Sequence, residues 1–323
     1  MSPLRATPLD FEQFVSGGSV AVAEGAVVER LARDPSIRLD AHILNGGLVY
    51  DAAARERLSE IHTGYVAAAR DAGLAILTFT DTWRSSLARV EASPFRGRPV
   101  NEDNARFLAE IRDRFGAGPP IFIGGQLGPS GDAYQPGDAL DRRAARDFHR
   151  PQIAALASAG VDFLHLSTAP SVREALGVAD AMSETGLPYM ISFVIRRTGT
   201  VLDGTPLGEA IATIDAQAAR RPVGFSINCV HSRVLDSALA IVARRHPEAV
   251  GRVLSFQANT ADKEVEELDN SADLHTEPPE AFADGMVALR RRFGLRFVGG
   301  CCGTDGGHIQ AVARRLRCEP APD

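Results

Sequence analysis

The sequence predicts a (β/α)8 TIM barrel, an α/β fold in a single domain, and three observations support it. Short apolar runs alternate with helical patterns eight times along the chain. A βα unit repeated that often points to a barrel rather than an open doubly wound sheet, which strand counting alone leaves as the alternative. The residues with chemical potential stand where the apolar runs end, and barrels of this kind build their sites at the C-terminal ends of their strands. No linker, low-complexity block or short repeat divides the chain, so residues 1–17 are assigned to an N-terminal extension and 18–323 to the barrel.

The first strand is the short run 19–24, ending in Glu24-Gly25, and a loop with Asn45-Gly46-Gly47 follows. Leu58, Ile61, Tyr65 and Ala69 at helical spacing predict a helix over 51–72. The next strands are 74–80, ending in Thr80-Asp81-Thr82-Trp83, and 120–126, leading into Leu127-Gly128-Pro129, with a helix at 104–115 between them and another at 141–159. Strands at 161–166 and 189–194 follow, with helices at 172–184 and 207–219. The sixth strand ends at Cys229, and a helix at 235–245 leads to a seventh strand at 252–257, which runs into Ala258-Asn259-Thr260. The acidic segment 262–273 reads as a solvated loop and 278–293 as a helix. An eighth strand then ends at Cys301-Cys302, and a last helix spans 306–316.

Composition narrows the function. A chain of 323 residues, 45% hydrophobic and 24% charged, can bury a large core. A net charge of −6 and a pI near 5.8 argue against nucleic-acid or anionic-membrane partners, which need a basic surface. Neither a signal-peptide core nor a bilayer-length apolar run is present. The expectation is a cytoplasmic protein with reduced thiols.

The most specific stretch is Phe297-Val298-Gly299-Gly300-Cys301-Cys302-Gly303-Thr304. Adjacent cysteines rarely reach disulfide geometry, whereas two thiolates on a bent backbone can face one ion. Cys229 alone would read as a small buried hydrophobe, but with Cys301 and Cys302 at a second strand end it completes a candidate Zn2+ site. Three thiolates leave zinc one open position, where a thiol can ionise and then attack a methyl group on a sulfonium or ammonium donor. Cys318 reads as an incidental thiol.

The ends Asn228-Cys229 and Gly299-Gly300-Cys301-Cys302-Gly303-Thr304, followed by His308-Ile309, resemble the zinc motifs of the homocysteine S-methyltransferase family. Ile61-His62 with Tyr65, Thr80-Asp81-Thr82-Trp83, Leu127-Gly128-Pro129, Ile191-Ser192-Phe193 and Gly204-Thr205-Pro206-Leu207 add to the resemblance, which covers nearly the whole chain. It implies a zinc-dependent S-methyltransferase that moves a methyl group from a small donor to a small thiol, most simply homocysteine, giving methionine. Cys229, Cys301 and Cys302 would be the zinc ligands, and no protein residue need be a covalent nucleophile. S-methylmethionine, S-adenosylmethionine, a betaine-like ammonium or a methyl folate all fit as donor, and a barrel filling the chain favours a small free one.

Three departures matter. Glu24-Gly25 stands where the family usually has Asp-Gly-Gly, Ser167-Thr168 where it has Glu-Thr, and Ala258-Asn259-Thr260-Ala261-Asp262 where Pro-Asn-x-Gly-Glu is usual. The two family acids help hold the amino-acid end of homocysteine, so Ser167 puts the acceptor in question. The substrate-binding candidates are Glu24, Trp83, Ser167, Asn228 and Asn259. Glu24 also reads as a solvated acid, Trp83 as core, and the two asparagines as backbone anchors. His62, His165 and His308 are expected to satisfy local hydrogen bonds, and Ser192 reads as a packed layer residue inside the barrel. The alternatives are alkyl transfer to another thiol, or a barrel with a purely structural zinc. A Schiff-base aldolase is disfavoured because the only lysine, Lys263, lies in the acidic loop.

Overall fold

Burial on both faces makes the strands of a parallel sheet read as continuous apolar runs, and the runs found in the sequence all become strands. The computed structural model describes residues 10–263 and 276–318. Its strands are β1 (Ala21–Ala23), β2 (Ala75–Phe79), β3 (Ile121–Leu127), β4 (Phe163–Ala169), β5 (Tyr189–Phe193), β6 (Gly224–His231), β7 (Val253–Asn259) and β8 (Phe297–Gly300). They close in sequence order, all parallel, and β1 completes the ring by pairing Ala21 with Phe297 and Val22 with Val298 of β8. That pairing excludes the open sheet.

Around the ring lie α1 (Phe11–Ser16), α2 (Val28–Ala32), α3 (Ala52–Asp71), α4 (Leu87–Ala92), α5 (Val100–Phe115), α6 (Arg142–Ser158), α7 (Val172–Ser183), α8 (Leu207–Gln217), α9 (Ser232–Arg245), α10 (Pro247–Val250), α11 (Pro279–Phe293) and α12 (Gly306–Arg317). Asp51, Asp141 and Asp305 start α3, α6 and α12 by accepting from first-turn amides. Two helices begin earlier than their apolar spacing indicates. α5 starts at Val100, directly after Pro99, and α9 starts at Ser232, where the His231 ring accepts from the Arg233 amide. The short helices α2, α4 and α10 carry too few turns for periodicity to reveal them. The acidic segment expected over 262–273 lies outside the described residues from 264 onward, while Asp262 pairs with Arg197 and Arg233 at 2.8 and 3.2 Å. No helix among the described residues is long and apolar enough to cross a membrane.

The barrel interior is an aromatic plug. Phe79, Phe122, Phe163 and Phe297 pack there with Met190 and Leu254. Gly124 makes room for them, since a Cβ on it would lie 2.7 Å from the Phe163 ring and 2.8 Å from that of Phe79. α1, within the stretch assigned to an extension, inserts into the same cluster. Phe11 stacks on Phe163 with centroids 4.0 Å apart and meets Phe122 edge-on at 5.2 Å. Phe163 and Phe297 open their strands, so α1 seals the N-terminal end of the barrel and leaves the other end to the loops that form the site.

Phe11→Ala is expected to cost about 3–5 kcal/mol in urea unfolding, as for other fully buried phenylalanines. A cost below about 1 kcal/mol would mean that α1 does not seal the barrel.

Candidate functional site

Two strands that do not touch supply the three thiols. Cys229 lies on β6 and Cys301-Cys302 follow β8, with β7 between them. The three Sγ atoms lie within 4.8 Å of one another, and those of Cys229 and Cys301 are 2.8 Å apart. A tetrahedral zinc with sulfurs at about 2.3 Å would set them about 3.8 Å apart, inside that span. Cys229 is buried, Cys301 half-buried and Cys302 exposed, so the cluster is open on one side. Contact with the Cys229 sulfur and then burial push the Cys301 thiol well above its ordinary pKa, against the pull of Cys302. Thiols packed in this way keep their protons until a cation replaces them.

The end of β7 acts as the spacer. Asn259 Nδ2 donates to the Cys229 carbonyl at 2.9 Å, the Cys301 amide donates to the Ala258 carbonyl at 2.7 Å, and the Thr260 amide donates to the Cys302 carbonyl at 3.2 Å. All three cysteines are therefore tied to three consecutive residues. The glycines before the pair serve close approach. A Cβ on Gly299 would run into the backbone of Ala23 on β1, and one on Gly300 into Thr304. Thr304 Oγ1 in turn donates to the Cys301 carbonyl and accepts from the Ala26 amide. Cys229 has φ +58 and Thr168 φ +56, a left-handed conformation that is costly for non-glycine residues and tends to mark functional positions. Each sits where its strand's register shifts.

Asn228 reaches across the mouth. Its Oδ1 accepts from Ser192 Oγ at 2.6 Å and from the Thr168 amide at 3.1 Å, while its Nδ2 donates to Cys229 Sγ at 3.3 Å. The Asn228 amide thus links β4, β5 and β6 and places a donor on a candidate ligand sulfur. Ser192 is one of its anchors.

Opposite the sulfurs is a charged set that sequence reasoning only half located. The His62 ring, on α3, lies between Glu24 Oε2 at 3.2 Å and Asp81 Oδ2 at 2.9 Å. Asn45 Nδ2 donates to Asp81 Oδ1 at 2.5 Å. Burial would push the His62 pKa down, but the Asp81 and Glu24 carboxylates reverse this and hold it at about 10, so the ring is an imidazolium at neutral pH. Burial pushes the Glu24 carboxyl up, against the pull of His62. The histidine expected to bond locally therefore bridges the ends of β1 and β2.

One cavity of about 210 Å3 joins the two sides. Glu24, Trp83, Ser167, Asn228 and the three cysteines all line it, together with Asp81, Asn45, Gln126 and Tyr134, which composition and spacing did not single out. Asn259 does not line it and stands behind Cys229. Trp83 is wall and anchor together, its Nε1 donating to Thr168 Oγ1 at 2.9 Å. Ser167 Oγ accepts from Gln126 Nε2 at 2.9 Å and meets His165 Nδ1 at 2.8 Å. Burial drops the pKa of His165 to about 3, which keeps that ring neutral. His308 serves the α12 cap and reaches the Glu277 carbonyl, and Cys318 is exposed at the end of α12.

Fold and site together define a (β/α)8 barrel with a three-cysteine, metal-binding type of cluster at its C-terminal mouth. A sequence profile of the homocysteine S-methyltransferase family matches residues 21–316. The chain belongs to that family, whose members include methyltransferases of small thiols. It is 26% identical over 276 residues to homocysteine S-methyltransferase YbgG of Bacillus subtilis (strain 168), covering 81% of this chain and 84% of the relative. It is 24% identical over 284 residues to homocysteine S-methyltransferase 4 of Zea mays, covering 82% and 81%. The metallated form of the homocysteine methyltransferase MmuM from Escherichia coli superposes with a TM-score of 0.73 at 19% identity, covering 93% of this chain and 98% of that one, which establishes the shared fold.

Replacing any of Cys229, Cys301 or Cys302 by serine is expected to abolish stoichiometric zinc in the purified protein, and Asn259→Ala to weaken zinc binding about 10–100-fold in chelator competition. Unchanged zinc content in the three serine variants would exclude the cluster as the metal site. The His62 pKa is raised on folding, so its stabilisation is complete below about pH 6.5 and is lost as pH rises through about 10. Thermal stability should therefore fall more steeply between those pH values in the wild type than in His62→Gln, and identical slopes would contradict a charged His62.

Proposed function

We propose that this protein is a zinc-dependent S-methyltransferase that moves a methyl group from a small sulfonium or ammonium donor to a thiol, with homocysteine as acceptor and methionine as product. The observation that carries the reading is that three thiols open into the same cavity as a buried acidic set, at the mouth of a barrel of this family. Cys229, Cys301 and Cys302 would hold the zinc, which when bound supplies a Lewis acid that lets an acceptor thiol ionise at neutral pH.

The chain's own residues set the geometry and the medium. Asn228 Nδ2, beside Cys229 Sγ, offsets negative charge on that sulfur. Phe79, Trp83 and Tyr134 give the cavity aromatic walls that exclude water from the reacting sulfur. Among the described residues that line the cavity there is no arginine, lysine or histidine, which favours a cationic donor over an anionic one. In the transfer the acceptor thiol gives up its proton, a new carbon–sulfur bond forms, and the donor's bond to the same methyl carbon breaks. Its electrons stay on the departing sulfur or nitrogen, so the donor leaves neutral. No covalent enzyme intermediate is required. A purely structural zinc fits less well, because Cys302 is exposed to the cavity and the thiol group among the described residues comprises three members. Four unpaired thiols suit a reducing compartment, on which basis we place the protein in the cytoplasm.

The test is to incubate zinc-loaded protein with homocysteine and, separately, S-methylmethionine, S-adenosylmethionine, a betaine or a methyl folate, and to follow the thioether by mass spectrometry. Methionine is expected with at least one cationic donor and should disappear on chelation. Zinc-loaded protein that makes no thioether from any pair would overturn the proposal.

A further inference from the structure

The loop between β3 and α6, residues 128–141, is held by more polar contacts than a connection of its length needs. Its first amide, from Gly128, donates to the Trp83 carbonyl at 2.8 Å. Arg84 Nη1 donates to the carbonyls of Pro129 and Gly131 at 3.0 and 2.7 Å, and Arg89 Nη2 to that of Ser130 at 3.3 Å. The Ser130 amide donates to Oε1 of the buried Glu174 at 2.7 Å, and His149 Nε2 meets the same oxygen at 2.9 Å. The Tyr134 amide is fixed by Asp132 Oδ1 at 2.8 Å, and Arg173 holds the Ala139 carbonyl. A loop tied down by side chains of the scaffold places its own side chains precisely. Only one of them, Tyr134, lines the cavity. Its hydroxyl lies within hydrogen-bond reach of the Cys229 sulfur, with Cys301 and Cys302 close by.

We propose that Tyr134 is a positioning residue of the metal centre, whose hydroxyl donates to the Cys229 thiolate and moderates that ligand's charge. The inference rests on the three cysteines being the metal site and assigns a function to a residue outside it. A thiolate is acceptor-only, so the phenol O–H must be the donor. Cys229 is buried, which keeps water from supplying the same bond, so protein groups must do so. Asn228 Nδ2 at 3.3 Å is one such donor, and Tyr134 is the second, arriving from a different loop. Three thiolates make a metal electron-rich and a weak Lewis acid. Hydrogen bonds to one of them draw charge back from the metal, so that an entering thiol still ionises there. The Tyr134 ring also walls the cavity, and the test must separate the hydroxyl from the ring.

Tyr134→Phe keeps the ring and removes only the oxygen. In cobalt-substituted full-length protein the sulfur-to-cobalt absorption reports the ligand thiolates directly, before any substrate thiol is added. The variant's resting band is expected at longer wavelength, because a thiolate that has lost a hydrogen bond gives up its electron more readily. Chelator competition should show zinc held about 10-fold more weakly, and the pH at which homocysteine enters the cobalt shell should rise. A wall role alone would leave the resting band and zinc affinity where they are in the wild type, and that result would overturn the proposal. Zinc K-edge absorption supplies a second check. An oxygen neighbour present in the wild type and lost in Tyr134→Phe would make Tyr134 a direct ligand and equally overturn it. Wild-type protein that takes up no cobalt or zinc would overturn the metal site itself, and the role of Tyr134 with it.

Discussion

Everything at the mouth of this barrel depends on three sulfurs being held closer together than three thiols would settle unaided. The constraint is met by backbone. β6 and β8 are separated by β7, and Ala258, Asn259 and Thr260 at its end each bond one cysteine of the set. Gly299 and Gly300 then allow the β8 turn to lie against Ala23 and Thr304 without a Cβ in the way. The left-handed backbone at Cys229 belongs to the same construction, since it turns that residue at a point where the β6–β7 register shifts. Such strain persists only where the surroundings over-determine it, and here the Asn259 bond and the Asn228 network do so.

The second organising feature is the separation of chemical character across one small cavity. The three thiols lie on the β6 and β8 side and carboxylates on the β1 and β2 side, with amides and aromatic rings between. Parallel barrels bring the ends of all their strands to one face, so residues more than two hundred positions apart, such as Glu24 and Cys229, can share one cavity. The opposite end has no such role. Phe11 and the phenylalanines at the strand starts fill it, which gives the mouth a rigid floor.

Much of this was legible in the sequence, for definite reasons. Strands buried on both faces leave continuous apolar runs, so the eightfold alternation could be read directly, and a Gly-Gly-Cys-Cys turn has few bland readings. What escaped depends on contacts between distant residues. His62 reads as a local hydrogen-bonding histidine because its partners are 38 and 19 positions away. Asp81 and Asn45 stand in a strand end and a loop that the sequence does show, but their contact across 36 positions leaves no pattern. Asn259 was legible as important but ambiguous in role, since an asparagine that holds backbone and one that holds substrate look alike in sequence. β6 continues to His231 beyond Cys229, where the sequence pattern ends it, because a positive φ at a non-glycine residue leaves no trace in composition. α1 is too short for its periodicity to show, and its purpose appears only when Phe11 is seen stacked on Phe163.

The central claim is that the three-cysteine cluster holds an ion with a coordination position left open for a substrate sulfur. Zinc K-edge absorption on the purified protein, alone and with homocysteine, tests this most directly. Three sulfur neighbours are expected at rest and a fourth once the thiol is added. A shell already closed by four protein ligands and unchanged by homocysteine would contradict it.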